Sequence, residues 1–489
     1  MSPSNRWLVL AIVSSALFLI VIDMTVLYTA LPTLTHDLRA TATEKLWIVN
    51  AYPLVVAGLL PGVGTLGDRL GHKRMFLAGL VVFGLASLGA AFSPTSAWLI
   101  AARALLALGA AMMMPATLSL IRLTFTDEKE RAFAIGVWAA VASGGAAFGP
   151  VVGGALLEHF WWGSVFLINV PVVLMALLAG ATLLPNRPGN SSHPWDLVGS
   201  IQIMIGLIGL TYAIKELAKR DPSWVTAALA FAVGLVAMII FVRRQFASRA
   251  PLIDFSLFAN PRFSAGVATA MVASAALIGV ELVFSQRLQL VLGLSPLQAG
   301  LIILPIPLAA FIAGPLTGLA LPRIGAVRVL WSSLLLAGAM LVVYLLVYQG
   351  ATWLWLTALS LMGFGFGAAM TAASSVIMLS APEERAGMAA SIEEVSFELG
   401  GALGIAFLGS LMSGLYTYAL VLPQGVAAQA ADSLDEALIV AEQLAPVEAQ
   451  TLTVLAGTAF EHAFFGVIAA AAALLILVSL FIWRRTAKV

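Results

Sequence analysis

Gly64-Thr65-Leu66-Gly67-Asp68-Arg69-Leu70-Gly71-His72-Lys73-Arg74 is a short polar break between two long apolar runs. Its glycines permit a tight turn and close helix approach. Asp68 can accept hydrogen bonds from a helix N-terminus or from an arginine elsewhere in the chain. The pattern returns 254 residues later, where Pro61, Gly64, Arg69, Gly71 and Arg74 are matched by Pro315, Gly318, Arg323, Gly325 and Arg328. Pro322 stands where the second copy would carry the aspartate, so a latch built on Asp68 is one-sided. A simple basic loop would explain Arg69, Lys73 and Arg74, but not the repeated glycine spacing.

Around these two breaks the chain is overwhelmingly apolar. Of 489 residues, 61% are hydrophobic and only 10% charged, with a mean hydropathy of +1.01. A soluble chain would carry about a quarter charged residues, so the excess apolar surface requires lipid. Apolar runs give fourteen candidate spans, near 7–31, 46–66, 75–92, 97–120, 133–157, 163–184, 197–217, 223–242, 263–284, 297–320, 327–348, 353–379, 388–416 and 462–483. Each provides roughly the 20 residues that a bilayer core demands. The first run is too long for a signal-peptide core and reads as a span.

The repeat aligns spans 1–6 with spans 9–14 and leaves 7 and 8 as an insertion. The expected fold is an all-α polytopic membrane protein of two six-helix bundles plus two inserted helices. Residues 1–185 form the N-terminal bundle, 186–250 the insertion and 251–489 the C-terminal bundle. Paired repeats of this kind place a transport site between them near the midplane. Of the 25 Lys and Arg, 18 fall on one side, among them Arg6, Arg69, Lys73, Arg74, Arg122, Arg131, Arg187, Arg249, Arg385 and Lys488. Lys45, Lys215, Lys219, Arg220 and Arg287 lie at or near the other side. The bias puts both termini in the cytoplasm. The outer loop at about 417–461 holds Asp432, Asp435, Glu436, Glu442 and Glu448 and no basic residue. There Ser433 and Glu436 form a capping box opening a short helix through Leu444, which Pro446 closes, and a second short helix leads into the last span.

Intramembrane charges are the candidate functional residues. Asp23 lies deep in the first span and suits a group that alternately binds a proton and a cation. The alternative is a packing carboxylate bonded to Thr25 or to a neighbouring helix. Glu393, Glu394 and Glu398 lie in the thirteenth span, with Glu394 and Glu398 on one face. They form an acidic vestibule for cations, or else a solvated helix end. Arg103 in the fourth span needs a carboxylate or several carbonyls, and either tunes the proton site or clamps backbone. Gly149, Pro150, Gly153 and Gly154 supply small-residue spacing for tight helix contact and join Gly64, Asp68, Arg69, Gly71 and Arg74 as gating candidates. Glu281 lines the exit path or sits among headgroups. Trp47, Tyr52, Trp138, Phe284 and Phe397 could offer cation–π surfaces, or be packing and interfacial belt. With no cysteine there is no disulfide or thiolate metal site. There is also no nucleotide-binding glycine loop or His cluster, so neither an enzyme nor a metal or cofactor site is expected.

These motifs resemble the major facilitator superfamily and, in detail, its fourteen-spanner drug:proton antiporter family, over nearly the whole chain. Residues 64–74 fit the superfamily's loop signature. Gly145 to Gly154 resembles the antiporter motif ending G-P-x-x-G-G, and Arg103 to Pro115 the fourth-helix motif. Asp23, Thr25, Ala30, Leu31 and Pro32 match the first-helix pattern, with Tyr28 where Asn is usual. Glu393, Glu394 and Glu398 resemble the acidic pattern of quaternary-ammonium exporters, and the whole sequence looks similar to methyl-viologen and cationic-biocide pumps.

The resemblance implies proton-gradient-driven export of quaternary ammonium compounds, methyl viologen, dyes and bisbiguanides by a monomer in the bacterial inner membrane. No bound cofactor and no nucleic acid are implied. It points to Asp23, Glu393, Glu394, Glu398 and Arg103 for proton coupling. For the cation it points to Asp23, the three glutamates, Tyr28, Trp138, Phe397 and Glu281. A narrow-range transporter of a natural solute such as an amino acid or polyamine would share the fold and Asp23.

Overall fold

The computed structural model describes residues 3–40, 42–189, 195–217, 222–248, 251–294, 296–431 and 433–486. Lys219, Arg220, Arg249, Asp432 and Lys488 fall outside them, as do the side chains of Tyr28, Pro32, Lys45, Pro150, Lys215 and Asp435. The first half comprises α1 (Pro3–Asp37), α2 (Ala42–Leu70), α3 (His72–Ala91), α4 (Ser96–Thr124) and α5 (Glu128–His159), then a single turn, α6 (Ser164–Leu167), running into α7 (Asn169–Leu183). An inserted pair follows, α8 (Leu197–Leu217) and α9 (Trp224–Ala247). The second half is α10 (Pro261–Gln286), α11 (Pro296–Ile303), α12 (Pro305–Ile324), α13 (Ala326–Val347), α14 (Thr352–Ser380), α15 (Ala386–Ala419), α16 (Leu434–Ala441) and α17 (Pro446–Thr486). Among the described residues there is no strand, and 13 segments are long and apolar enough to cross a bilayer. Packed against α1 and α12, the 32-residue α5 joins them as the fourteenth long helix.

Apolar packing forms two large cores. One joins α1 to α7 through residues such as Leu10, Phe76, Phe83 and Phe166 and reaches across to Phe263 of α10, Ile377 of α14 and Met388 of α15. A second joins α10 to α17 through Phe284, Phe366 and Phe464. A small third cluster, Ile203, Leu207, Phe241 and Leu252, ties α8 and α9 to the loop that follows them. The inserted pair lies against α2, with Met204 over Gly58 and Ser200 over Gly62. Trp195 Nε1 donates to the Gly62 carbonyl at 2.9 Å, and Trp47 stacks on Tyr212. The remaining apolar surface of α9, including Trp224, Leu229 and Val236, is exposed, as a lipid-facing helix requires. Next to α8, Asp196 accepts two hydrogen bonds from Arg244, at 2.7 and 2.9 Å, and these hold its carboxyl below the usual carboxylate range.

The repeat in the sequence is a repeat in space. Gly71 opens α3 with φ 96° and ψ 132°, and Gly325 opens α13 with φ 92° and ψ 128°. Both turns use a backbone conformation that side chains with a Cβ resist. The halves touch along two matching seams, α2 on α15 and α12 on α5. At the first, a Cβ on Gly64 would collide with the Ser391 side chain and the Gly387 carbonyl. At the second, a Cβ on Gly318 would lie 2.8 Å from Phe133 Cα. Equivalent glycines therefore serve equivalent contacts between the halves.

Helix ends differ from expectation in one region. Ser433 caps α16 by accepting from the Glu436 N–H at 3.4 Å, but the helix stops at Ala441 rather than Leu444. Pro446 does not close a helix. It is the first residue of α17, where a missing N–H costs nothing. The expected second short helix is thereby continuous with the last span, in one helix of 41 residues. The tenth span is broken at Leu304, just before Pro305, and the sixth at Ile168.

The two positive-φ turns separate strain from crowding. Gly325→Ala meets open space, so only backbone strain remains, about 1–3 kcal/mol. Gly71→Ala should be worse, because its Cβ also meets the Arg187 carbonyl oxygen at 3.0 Å. Thermal melts of detergent-purified protein should show a larger fall for Gly71→Ala; equal falls would contradict this account.

Candidate functional site

Asp23 sits three-fifths of the way along α1, after Leu19-Ile20-Val21-Ile22, and is 2% exposed. A carboxylate so placed needs donors. Arg103 of α4 donates from Nη1 to Asp23 Oδ2 at 3.0 Å, and Asn169 Nδ2 donates to Oδ1 at 2.8 Å. Asn169 is the first residue of α7, where the sixth span restarts after its break, and it also donates to Ser87 Oγ of α3 at 3.1 Å. Arg103 Nε reaches the Ile48 carbonyl of α2 at 3.4 Å. Its guanidinium carbon lies 4.6 Å from the centre of the Tyr52 ring. Arg103 thus pairs with a carboxylate and also reaches a backbone carbonyl. Thr25 is not a partner of Asp23; its hydroxyl bonds back to the Val21 and Ile22 carbonyls at 3.0 and 3.2 Å.

The second group lies on α15. Glu393 is fully buried and accepts from the Ser374 hydroxyl of α14. Its other oxygen, and Oε1 of the 4%-exposed Glu394, have no hydrogen-bond partner among the described residues. Glu394 feels the charges of both Glu393 and Glu398, and Glu398 is half-buried. These carboxylates begin seven residues past the start of α15, roughly 10 Å in. Glu393 and Glu394 are therefore inside the protein and not at a solvated helix end.

Other expected residues are held elsewhere. Trp138 is buried in the first core, its Nε1 donating to Thr117 Oγ1 at 3.0 Å. Phe397 packs on the second core, and its carbonyl accepts from Ser274 at 2.7 Å. Glu281 is partly buried, seven residues beyond Ser274 and so on the same face of α10. A Cβ on Gly149 would overlap Thr25, so this stretch of α5 packs tightly on α1. Gly153 is buried, while Gly154 faces open space.

At the end carrying the α2–α3 turn, Asp68 Oδ1 accepts from the Gly387 N–H at 2.9 Å and Oδ2 from the Met388 N–H at 3.2 Å. A first-half carboxylate thereby caps the N-terminus of α15, where N–H groups and the helix dipole favour it. Arg122 Nη2 donates to the Ala381 carbonyl at 2.6 Å, and Arg187 pairs with Glu383 at 3.0 Å. Asp254 pairs with Arg385. Arg69 is half-buried and Arg74 exposed at the same end. Opposite, where Pro322 replaces the aspartate, a cavity of about 150 Å³ lies between Glu128, Arg131 and Pro322. Asn169, Ser87, Ser374 and Arg122 were not singled out from sequence. A lone Asn within an apolar run was the one available signal.

A family model described as Major Facilitator Superfamily matches residues 13–405. The chain is 41% identical over 490 aligned residues to the methyl viologen resistance protein SmvA of Salmonella typhimurium, covering 99% of each chain. It is 39% identical to the multidrug efflux pump LfrA of Mycolicibacterium smegmatis, covering 94% of this chain and 92% of that one. The crystal structure of the human organic anion transporter MFSD10 superimposes with a TM-score of 0.64 at 14% identity, over 97% of this chain and all of the other. At that identity the likeness concerns the fold.

Two outcomes follow from the geometry. Arg103→Met leaves Asp23 buried and unpaired and should cost about 3–5 kcal/mol. Adding Asp23→Asn should recover part of the loss in thermal melts; a double variant as unstable as the sum of the two would refute the pairing. Asp68→Ala removes the acceptor from two α15 N–H groups. In this cysteine-free chain, a thiol placed by Ser391→Cys should then label about tenfold faster, the equivalent of one charge-assisted hydrogen bond. An unchanged rate would mean that Asp68 does not hold the seam.

Proposed function

The chain belongs to the Major Facilitator Superfamily, and from that premise we propose that it is a proton-coupled antiporter exporting lipophilic mono- and bivalent cations. Quaternary ammonium biocides, methyl viologen, cationic dyes and chlorhexidine-like compounds are the expected cargo. It is a multi-pass membrane transporter and not an enzyme. The bundles of residues 1–185 and 251–489 move against each other, with 186–250 as an insertion beside the first. The membrane is the bacterial cytoplasmic membrane, with both termini inside, and the unit is a monomer driven by the proton gradient without a bound cofactor.

One observation carries this reading: Glu393 and Glu394 are buried in α15 with unmatched carboxyl oxygens. An anion in that position is costly unless a proton or a cation neutralises it. A site that accepts either, but not both, exchanges one for the other. Asp23 offers the first half a second carboxylate whose charge is matched by Arg103 until a proton replaces that match. The names of the relatives, methyl viologen resistance and multidrug efflux, support a cationic and varied cargo. Since Asp23, Glu393 and Glu394 are all enclosed here, cargo reaches them only when the seams part. The contacts on residues 381–388 are the ones that must break at the basic end.

In proteoliposomes with an imposed pH gradient, wild-type protein should expel ethidium without nucleotide. Asp23→Asn and Glu394→Gln should each reduce gradient-driven efflux at least about tenfold, as expected for a lost charge partner in a buried site. Efflux that ignores the gradient, or survives both changes, would exclude this mechanism. A saturable response to one amino acid or polyamine alone would favour a narrow solute transporter.

A further inference from the structure

Tyr52 is the buried polar group that the exchange scheme leaves unused. It is 1% exposed on α2, its ring lies under the Arg103 guanidinium at 4.6 Å, and its hydroxyl has no hydrogen-bond partner among the described residues. A buried hydroxyl without an acceptor is unfavourable, so its presence calls for a partner in another state.

The register of the seam identifies that partner. Gly64 lies on Gly387 and Ser391, and α2 runs antiparallel to α15. Twelve residues back along α2, about 18 Å, is Tyr52; twelve residues on from Gly387 is Leu399. Tyr52 is therefore level with residues 399–403, about one turn beyond Glu398. The charges acting on it come from three elements: Asp23 of α1, Arg103 of α4 and Glu398 of α15. It is thus set between the carboxylate network of one half and the glutamates of the other.

We propose that Tyr52 is a positioning residue that links the two carboxylate groups, its ring seating Arg103 and its hydroxyl turning to Glu398. The proposal rests on the cation-export reading above. With Asp23 ionised, Arg103 is neutralised by it, and the charge of Glu398 attracts a cationic cargo. When Asp23 takes a proton, the guanidinium keeps its place on the ring and its positive charge is no longer matched within the first half. Through Tyr52 it then acts on Glu398, and a cation there is disfavoured. Proton uptake in one half thereby promotes cation release in the other, and by linkage the cation disfavours proton uptake by the same factor.

The test is a double-mutant cycle on ethidium binding to detergent-purified full-length protein, read by fluorescence across a pH series. Tyr52→Phe keeps the ring and removes the hydroxyl. It should weaken binding about tenfold, the size of one hydrogen bond to a charged group. Combined with Glu398→Gln it should add no further loss, whereas combined with Glu393→Gln the losses should multiply. Tyr52→Leu, which also removes the seat of Arg103, should flatten the pH dependence that Tyr52→Phe retains. Losses that multiply with Glu398→Gln, or a Tyr52→Phe variant that binds like wild type, would overturn the link. Failure of wild-type protein to bind ethidium at all would instead overturn the cation reading beneath it.

Discussion

A charge inside a lipid-spanning helix bundle must be matched where it stands, and the Asp23–Arg103 pair is where this chain meets that constraint. The pair ties α1 to α4, and its remaining hydrogen bonds recruit α2 through Ile48, α3 through Ser87 and α7 through Asn169. Five helices of the first half are therefore registered around one neutralised pair. Apolar side chains, which in lipid have no strong preference for one another, could not specify that register alone. The break between α6 and α7 belongs to the same arrangement, because it brings Asn169 to the Asp23 carboxylate.

Among the described residues of the second half, Arg287 pairs with Glu461 at 2.8 Å in a partly exposed setting, and the enclosed charges are Glu393 and Glu394 of α15, with Ser374 donating to Glu393. The asymmetry is chemical and not architectural. The halves share their turns at Gly71 and Gly325 and their close contacts at Gly64 and Gly318, yet one keeps its carboxylate satisfied and the other leaves oxygens unmatched. At the basic end Asp68 caps α15, while Pro322 lines a cavity with Glu128 and Arg131.

Much of this was legible in residue order. Fourteen apolar runs, the 254-residue repeat and the charges at Asp23, Arg103 and Glu393–Glu398 were all visible, because lipid makes each apolar run long and each intramembrane charge conspicuous. The cap at Ser433 was legible for a local reason, since Ser433 and Glu436 are neighbours in sequence. Pro446 was misread because proline ends one helix and begins another with equal ease, and only the chain on either side decides which. Trp138 could be named but not placed. Its hydrogen bond to Thr117 is set by how α4 and α5 pack, which hydropathy does not report.

Residue order by itself determined the membrane-spanning all-α fold, its two-part repeat and the identity of the buried charges. These depend on local composition and spacing, which lipid solvation converts directly into helices. The tertiary structure alone decided which charge faces which. Arg103 meets Asp23 across 80 positions of sequence, and Asp68 meets the start of α15 across 319. Such pairings depend on the crossing of packed helices, to which each helix contributes only one face. Tyr52 shows the consequence: one aromatic among many in the sequence, it acquires a place between two charged groups only when α2 is laid against α4 and α15.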